Sequence, residues 1–160
     1  MIAAMLAAAA LSQTPASTFT AEPDADERAR FDACLAEAGY AEALNCRGVV
    51  ARPCLDAPGA ETTAGMIACT SRELALWDEL LNTAYADMMS TLERTGADSR
   101  REALREAQRA WIGYRDGECR QQALQFEGGS LARVIHVSCV NDLTARRATD
   151  LRDQGEDADL

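Results

Sequence analysis

The chain has no lysine and a single histidine, His136; all 16 of its basic residues are arginine. One imidazole and no G-x-S-x-G setting around Ser130 leave no basis for a hydrolase triad. Gly128-Gly129-Ser130 is too short for a phosphate loop and lacks the lysine that would follow one. The six cysteines include no C-x-x-C pair, the close spacing on which most zinc and iron–sulfur sites depend, so neither a metal nor a cofactor is expected. No apolar run is long enough to span a bilayer, so no stable membrane insertion is expected. Positive charge is also in deficit. The 26 acidic residues leave a formal net charge of -10 and a pI near 4.5. Nucleic acid and anionic lipid would be repelled, whereas a basic protein would be attracted. The missing lysine, beside abundant alanine, reads as coding bias, since the two cations interchange on solvated surfaces away from bidentate sites.

At 160 residues the chain is long enough for one domain with a real core. Residues 1–12, MIAAMLAAAALS, read as the apolar part of an export signal with a small-x-small cleavage site before Gln13, although the usual basic start is missing. Residues 13–26 read as a flexible lead-in, 27–152 as the folded domain, and 153–160 as an acidic tail that frays. Export would place the protein in the periplasm or outside the cell, where disulfides persist. The sequence does not dictate the connectivity of Cys34, Cys46, Cys54, Cys69, Cys119 and Cys139. The preferred set is sequential: 34 with 46, 54 with 69, and 119 with 139.

The periodicity predicts helices throughout. Residues 24–38 carry acids in the first turn and the Phe31/Leu35 pair, with Gly39 as the stop, and a short helix over 41–50 follows. Two prolines and a glycine make 52–59 a loop. Thr70-Ser71-Arg72-Glu73 reads as a capping box, so a long helix should begin at Ser71 and carry Leu74, Trp77, Leu81, Tyr85, Met88 and Leu92 to a stop at Gly96. Before it, 63–68 would form a separate helical turn. The stretch 98–129 reads as the organising helix, capped by Asp98, with Leu104, Ala107, Trp111, Tyr114 and Cys119 as its inward stripe. A short turn makes these two helices antiparallel. Helical spacing returns from Val134 to Leu151, with a strand as the competing reading over 134–140, which is rich in β-branched residues. The expected fold is all-α: a small disulfide-bonded bundle built on two long antiparallel helices with shorter flanking helices.

No catalytic constellation emerges. Arg115, Asp116 and Glu118 read as ion pairs on a solvated helix face, and His136 as a partly buried structural residue. Asp78, Asn82, Gln108 and Arg109 interrupt the helical seam, where they would hydrogen-bond across it and set its register. Trp77 and Trp111 read as core anchors.

Together these residues resemble a known family. Trp77-Asp78 with Leu81-Asn82 and Tyr85, then Leu104, Ala107-Gln108-Arg109-Ala110-Trp111, Tyr114-Arg115-Asp116 and Cys119, then Gly128-Gly129-Ser130, Cys139, Leu143-Thr144, Arg147 and Leu151 are similar to the LprI-like family, over roughly residues 54–151. That domain is named after the N-terminal part of a mycobacterial lysozyme-inhibitor lipoprotein. The resemblance implies a helical, disulfide-bonded, non-catalytic envelope protein with a basic lysozyme-type protein as partner; the alternative is a periplasmic binding or structural module with no lysozyme target. The chain departs from the family pattern in lacking a lipid-attachment cysteine and in adding the Cys34 to Cys46 segment. Gly128, Gly129, Ser130 and Arg133 form the expected partner-binding loop, with Arg133 offering a cation to an acid-lined cleft.

Overall fold

The computed structural model describes residues 20–39 and 42–158, with the side chains of 156–158 left aside. The proposed export signal therefore lies outside the described residues. In order, the elements are α1 (Ala25–Ala38), a 3-10 turn (Ala43–Cys46), α2 (Ala51–Leu55), α3 (Thr63–Arg94), α4 (Asp98–Leu124) and α5 (Leu131–Ala158). The protein is an all-α, disulfide-bonded bundle. Among the described residues it has three long helices, and the largest interface joins α3 to α5, with α4 packed mainly on α5.

The core explains this arrangement. Leu76, Trp77, Leu81, Ala84, Met88 and Leu92 of α3 are buried in one cluster with Ala145, Ala148 and Leu151 of α5. Alanines facing a bulky stripe let the two helix backbones approach closely. Helix α4 is not the organising element, because only Leu104 and Cys119 of its residues are buried. Trp111 is half-buried against the core, whereas Ala107 is exposed and Tyr114 is 57% exposed. The stripe read from the sequence was too wide: a helix lying on one neighbour buries a narrow seam.

Several boundaries differ from the sequence reading. The Thr70–Glu73 pattern caps nothing, since α3 starts at Thr63 and Thr62 accepts from the Gly65 N–H at 3.0 Å. Thr70 lies mid-helix and donates to the Met66 carbonyl, and residues 63–68 are the first turns of α3 itself. Pro53 does not break the chain into loop, because it occupies the first turn of α2, where its missing N–H is no loss. The expected helix over 41–50 reduces to the 3-10 turn followed by turns. Asp24 caps α1, so residues 25 and 26 are helical rather than lead-in. Asp98 is the first residue of α4 and Ala97 its cap. Helix α4 stops at Leu124, four residues before Gly128. Helix α5 settles 134–140 as helix and runs through Ala158, so most of the acidic tail is helical. His136 is exposed.

Two turns are well specified. After α3, the Ala97 N–H donates to the Leu92 carbonyl at 2.9 Å and the Gly96 N–H to Glu93 at 3.1 Å. With Gly96 at φ +69°, this is a complete Schellman motif and reverses the chain into α4. Three disulfides join Cys34 to Cys46, Cys54 to Cys69 and Cys119 to Cys139. The second covers a small satellite core with Ala60. There Gly65 is obligatory: a Cβ would lie 2.6 Å from the Ala60 Cα.

Gly113 and Gly117 are the opposite case. Both sit exposed inside α4, and an added Cβ would meet nothing within 4 Å. Gly113→Ala and Gly117→Ala are each expected to raise stability by roughly 0.5–1 kcal/mol by restricting the unfolded chain. Thermal unfolding of the two variants beside Gly65→Ala, which should fall, checks the assignment.

Candidate functional site

One buried carboxylate ties three parts of the chain together. Glu73 is fully buried in α3. Its Oε1 accepts from the Gly48 N–H at 2.8 Å, and its Oε2 from the N–H groups of Val50 at 3.1 Å and Ala51 at 2.9 Å. Asn141 Nδ2 of α5 and Trp77 Nε1 also donate to Oε1, at 3.2 and 3.4 Å. Five donors on one carboxylate compensate its desolvation, and three of them are backbone groups at the start of α2 that would otherwise lack partners. In the sequence alone Glu73 looks like part of a local cap. The signal that points elsewhere is spacing: Glu73 stands four residues before Trp77, on the stripe continued by Leu81, Ala84 and Met88. This site holds the fold and faces little solvent.

The other sequence-derived residues scatter. Asn82 donates to Asp78 along α3 at 3.1 Å, on an exposed face rather than across a seam. Gln108 does bridge helices, accepting from Arg147 Nε of α5 at 3.0 Å, and burial lowers the Arg147 guanidinium from its ordinary pKa. Arg109 is exposed and makes no ion pair among the described residues. Tyr85 and Trp111 pack against the core from its edge. Arg115 lies 5.1 Å from the Trp111 ring centroid and pairs with Asp116 at 2.9 Å, anchoring the outer half of α4. Trp77 meets Phe31 edge-to-face, with centroids 4.7 Å apart. No group of three or more His, Cys, Asp or Glu among the described residues could hold a metal ion, and no hydrogen bond joins Ser130 to His136.

The α4–α5 turn is where exposed apolar surface collects. Leu124 is 54% exposed, Phe126 39% and Leu131 42%. Gly128, Gly129, Ser130 and Arg133 are all exposed among them, and Gly128 takes φ +81° to close the turn. Beneath this tip the Cys119–Cys139 bond, 20 residues apart in sequence, locks the two helices together. The tip is thus an apolar group with Arg133 and Glu127 exposed beside it, held on a braced hairpin. The sequence reading named its glycines and Arg133 but not Leu124, Phe126 and Leu131, because isolated apolar residues at a helix end look like core.

The family model described as Lysozyme inhibitor LprI matches residues 54–151. The chain belongs to the LprI family. A relative in Rhizobium meliloti (strain 1021), "Uncharacterized protein R02472", is 31% identical over 100 residues, which span 57% of this chain and 72% of that protein. No solved structure matches the chain significantly. The LprI region takes in α3, α4, most of α5, the tip and two of the three disulfides, whereas α1 and the 3-10 turn precede it. No described helix is long and apolar enough to cross a membrane.

Proposed function

We propose that this protein is an exported, non-catalytic inhibitor of lysozyme and that the α4–α5 tip is its contact surface. The observation that carries this reading is the exposed cluster Leu124, Phe126 and Leu131 beside Arg133, on a hairpin braced by Cys119–Cys139. Apolar anchors on a rigid support lose little entropy on docking, and a cation at their edge suits a cleft lined by catalytic carboxylates. The net charge of -10 would steer the molecule toward a basic lysozyme, and Arg133 at the tip would then meet the acidic cleft within that basic surface. Three disulfides accord with an oxidising compartment, periplasmic or extracellular. Membership of the LprI family supports the choice of target.

The test is a titration of the oxidised chain from Gln13 onward into lysozyme, following cell-wall lysis at physiological salt. Stoichiometric inhibition is expected, and Phe126→Asp with Leu131→Asp should weaken it by about thirtyfold or more, as for loss of an interface hot spot. Both side chains are exposed, so the variant should unfold at the parent temperature. Inhibition indifferent to these substitutions and to Arg133→Glu would move the contact surface elsewhere. No inhibition of any lysozyme type would favour an envelope binding module with another target.

A further inference from the structure

Three arginines gather around one cleft. The cleft, of about 390 Å³ and between α1 and the 47–53 segment, is lined by Arg30, Arg47 and Arg52 with Asn45, and no carboxylate among the described residues lines it. In a chain with 26 acidic and 16 basic residues this grouping runs against composition. The guanidiniums of Arg30 and Arg52 have no hydrogen bond or ion pair among the described residues. Arg47 Nη1 lies 3.2 Å from Asp142 Oδ1, in the adjoining cleft of about 270 Å³. That second cleft is also bordered by Glu73, but its carboxylate is already saturated by backbone donors.

Gly48 takes φ +90°, a conformation that favours glycine, and its bare Cα leaves the space beside it open to the Arg52 side chain, whose Nε would lie 2.6 Å from a Cβ there. The Cys34–Cys46 bond fixes α1, and with it Arg30, against the same turn. We propose that this cleft binds a phosphate or phosphate monoester, whose tetrahedral oxygens and double charge match several guanidinium forks held around one cavity. Arg30, Arg47 and Arg52 all precede residues 54–151, so the cleft lies outside the region that the LprI model matches.

The experiment is calorimetric titration of the oxidised chain with inorganic phosphate, and with acetate at equal ionic strength. Saturable one-site binding of phosphate is expected, at least about tenfold tighter than acetate, and Arg30→Ala with Arg52→Ala should weaken it by a further tenfold or more. Both side chains are exposed, so this double variant should retain the parent unfolding temperature, and Arg109→Ala with Arg120→Ala should bind as the parent does. Sedimentation with phosphatidic acid vesicles but not with phosphatidylcholine vesicles, lost in the Arg30/Arg52 variant, would identify a lipid headgroup as the source. Phosphate binding without such sedimentation would identify a soluble ester. Equal affinity for phosphate and acetate, or a double variant that binds phosphate like the parent, would overturn the assignment.

Discussion

Replacing Glu73 by alanine is expected to lower the unfolding free energy by about 4 kcal/mol, because several buried donors lose their acceptor together and a cavity opens beside Trp77. The donors are the N–H groups of Gly48, Val50 and Ala51, the Trp77 indole and the Asn141 amide. Glu73→Gln should fall between, at roughly 2 kcal/mol, since one amide oxygen can accept from some of these groups while its NH2 faces the rest. Urea unfolding of both variants reads the effect against a total of about 5–15 kcal/mol for a domain of this kind. If the alanine variant lost less than about 1.5 kcal/mol, the range of a single hydrogen bond, water would be replacing the carboxylate, and the site would not be the tie described above.

Reduction of the disulfides should have the largest effect of all. The bridges join residues 12, 15 and 20 apart, and each restricts the unfolded chain by about 3 kcal/mol. Together they reach about 9 kcal/mol, within the range of the whole stability, so the reduced and alkylated chain should lose its cooperative thermal transition. Cys119→Ala with Cys139→Ala should cost about 3 kcal/mol and also loosen the braced tip, so the variant should inhibit lysozyme less well at temperatures where it is still folded. A reduced chain that melts cooperatively near the oxidised temperature would show that packing of α3 on α5 suffices.

Much of this fold was legible because helical spacing survives in single sequences. Trp77, Leu81, Met88 and Leu92 marked α3, and Gly96 marked its end, since a Schellman motif needs a residue that accepts positive φ. Two features were not legible, for the same physical reason. Thr70-x-x-Glu73 looks like a cap in isolation, and only the approach of the turn at 48–51 shows that Glu73 serves backbone donors distant in sequence. Likewise Tyr114, Ile112 and Leu124 have the apolar character of core residues, and only the position of α4 at the edge of the bundle leaves them exposed. At the candidate site, the glycines and Arg133 were visible as turn chemistry. The exposed apolar residues there depended on which helix ends project, a property of packing rather than of local pattern.

The knot at Glu73 also makes the folded unit larger than the region that the family model matches. The LprI region begins at residue 54, yet all three backbone donors to its buried carboxylate, and the Phe31 ring against Trp77, are supplied from before that point. Arg72 fastens this leading stretch from the other side, through Glu27 at 3.0 Å and the Thr20 carbonyl at 2.8 Å. In this protein the residues before 54 are structural members of the same fold as the matched region. A recombinant fragment cut at the family boundary would keep only the Trp77 and Asn141 donors to that carboxylate and would lose its three backbone ones.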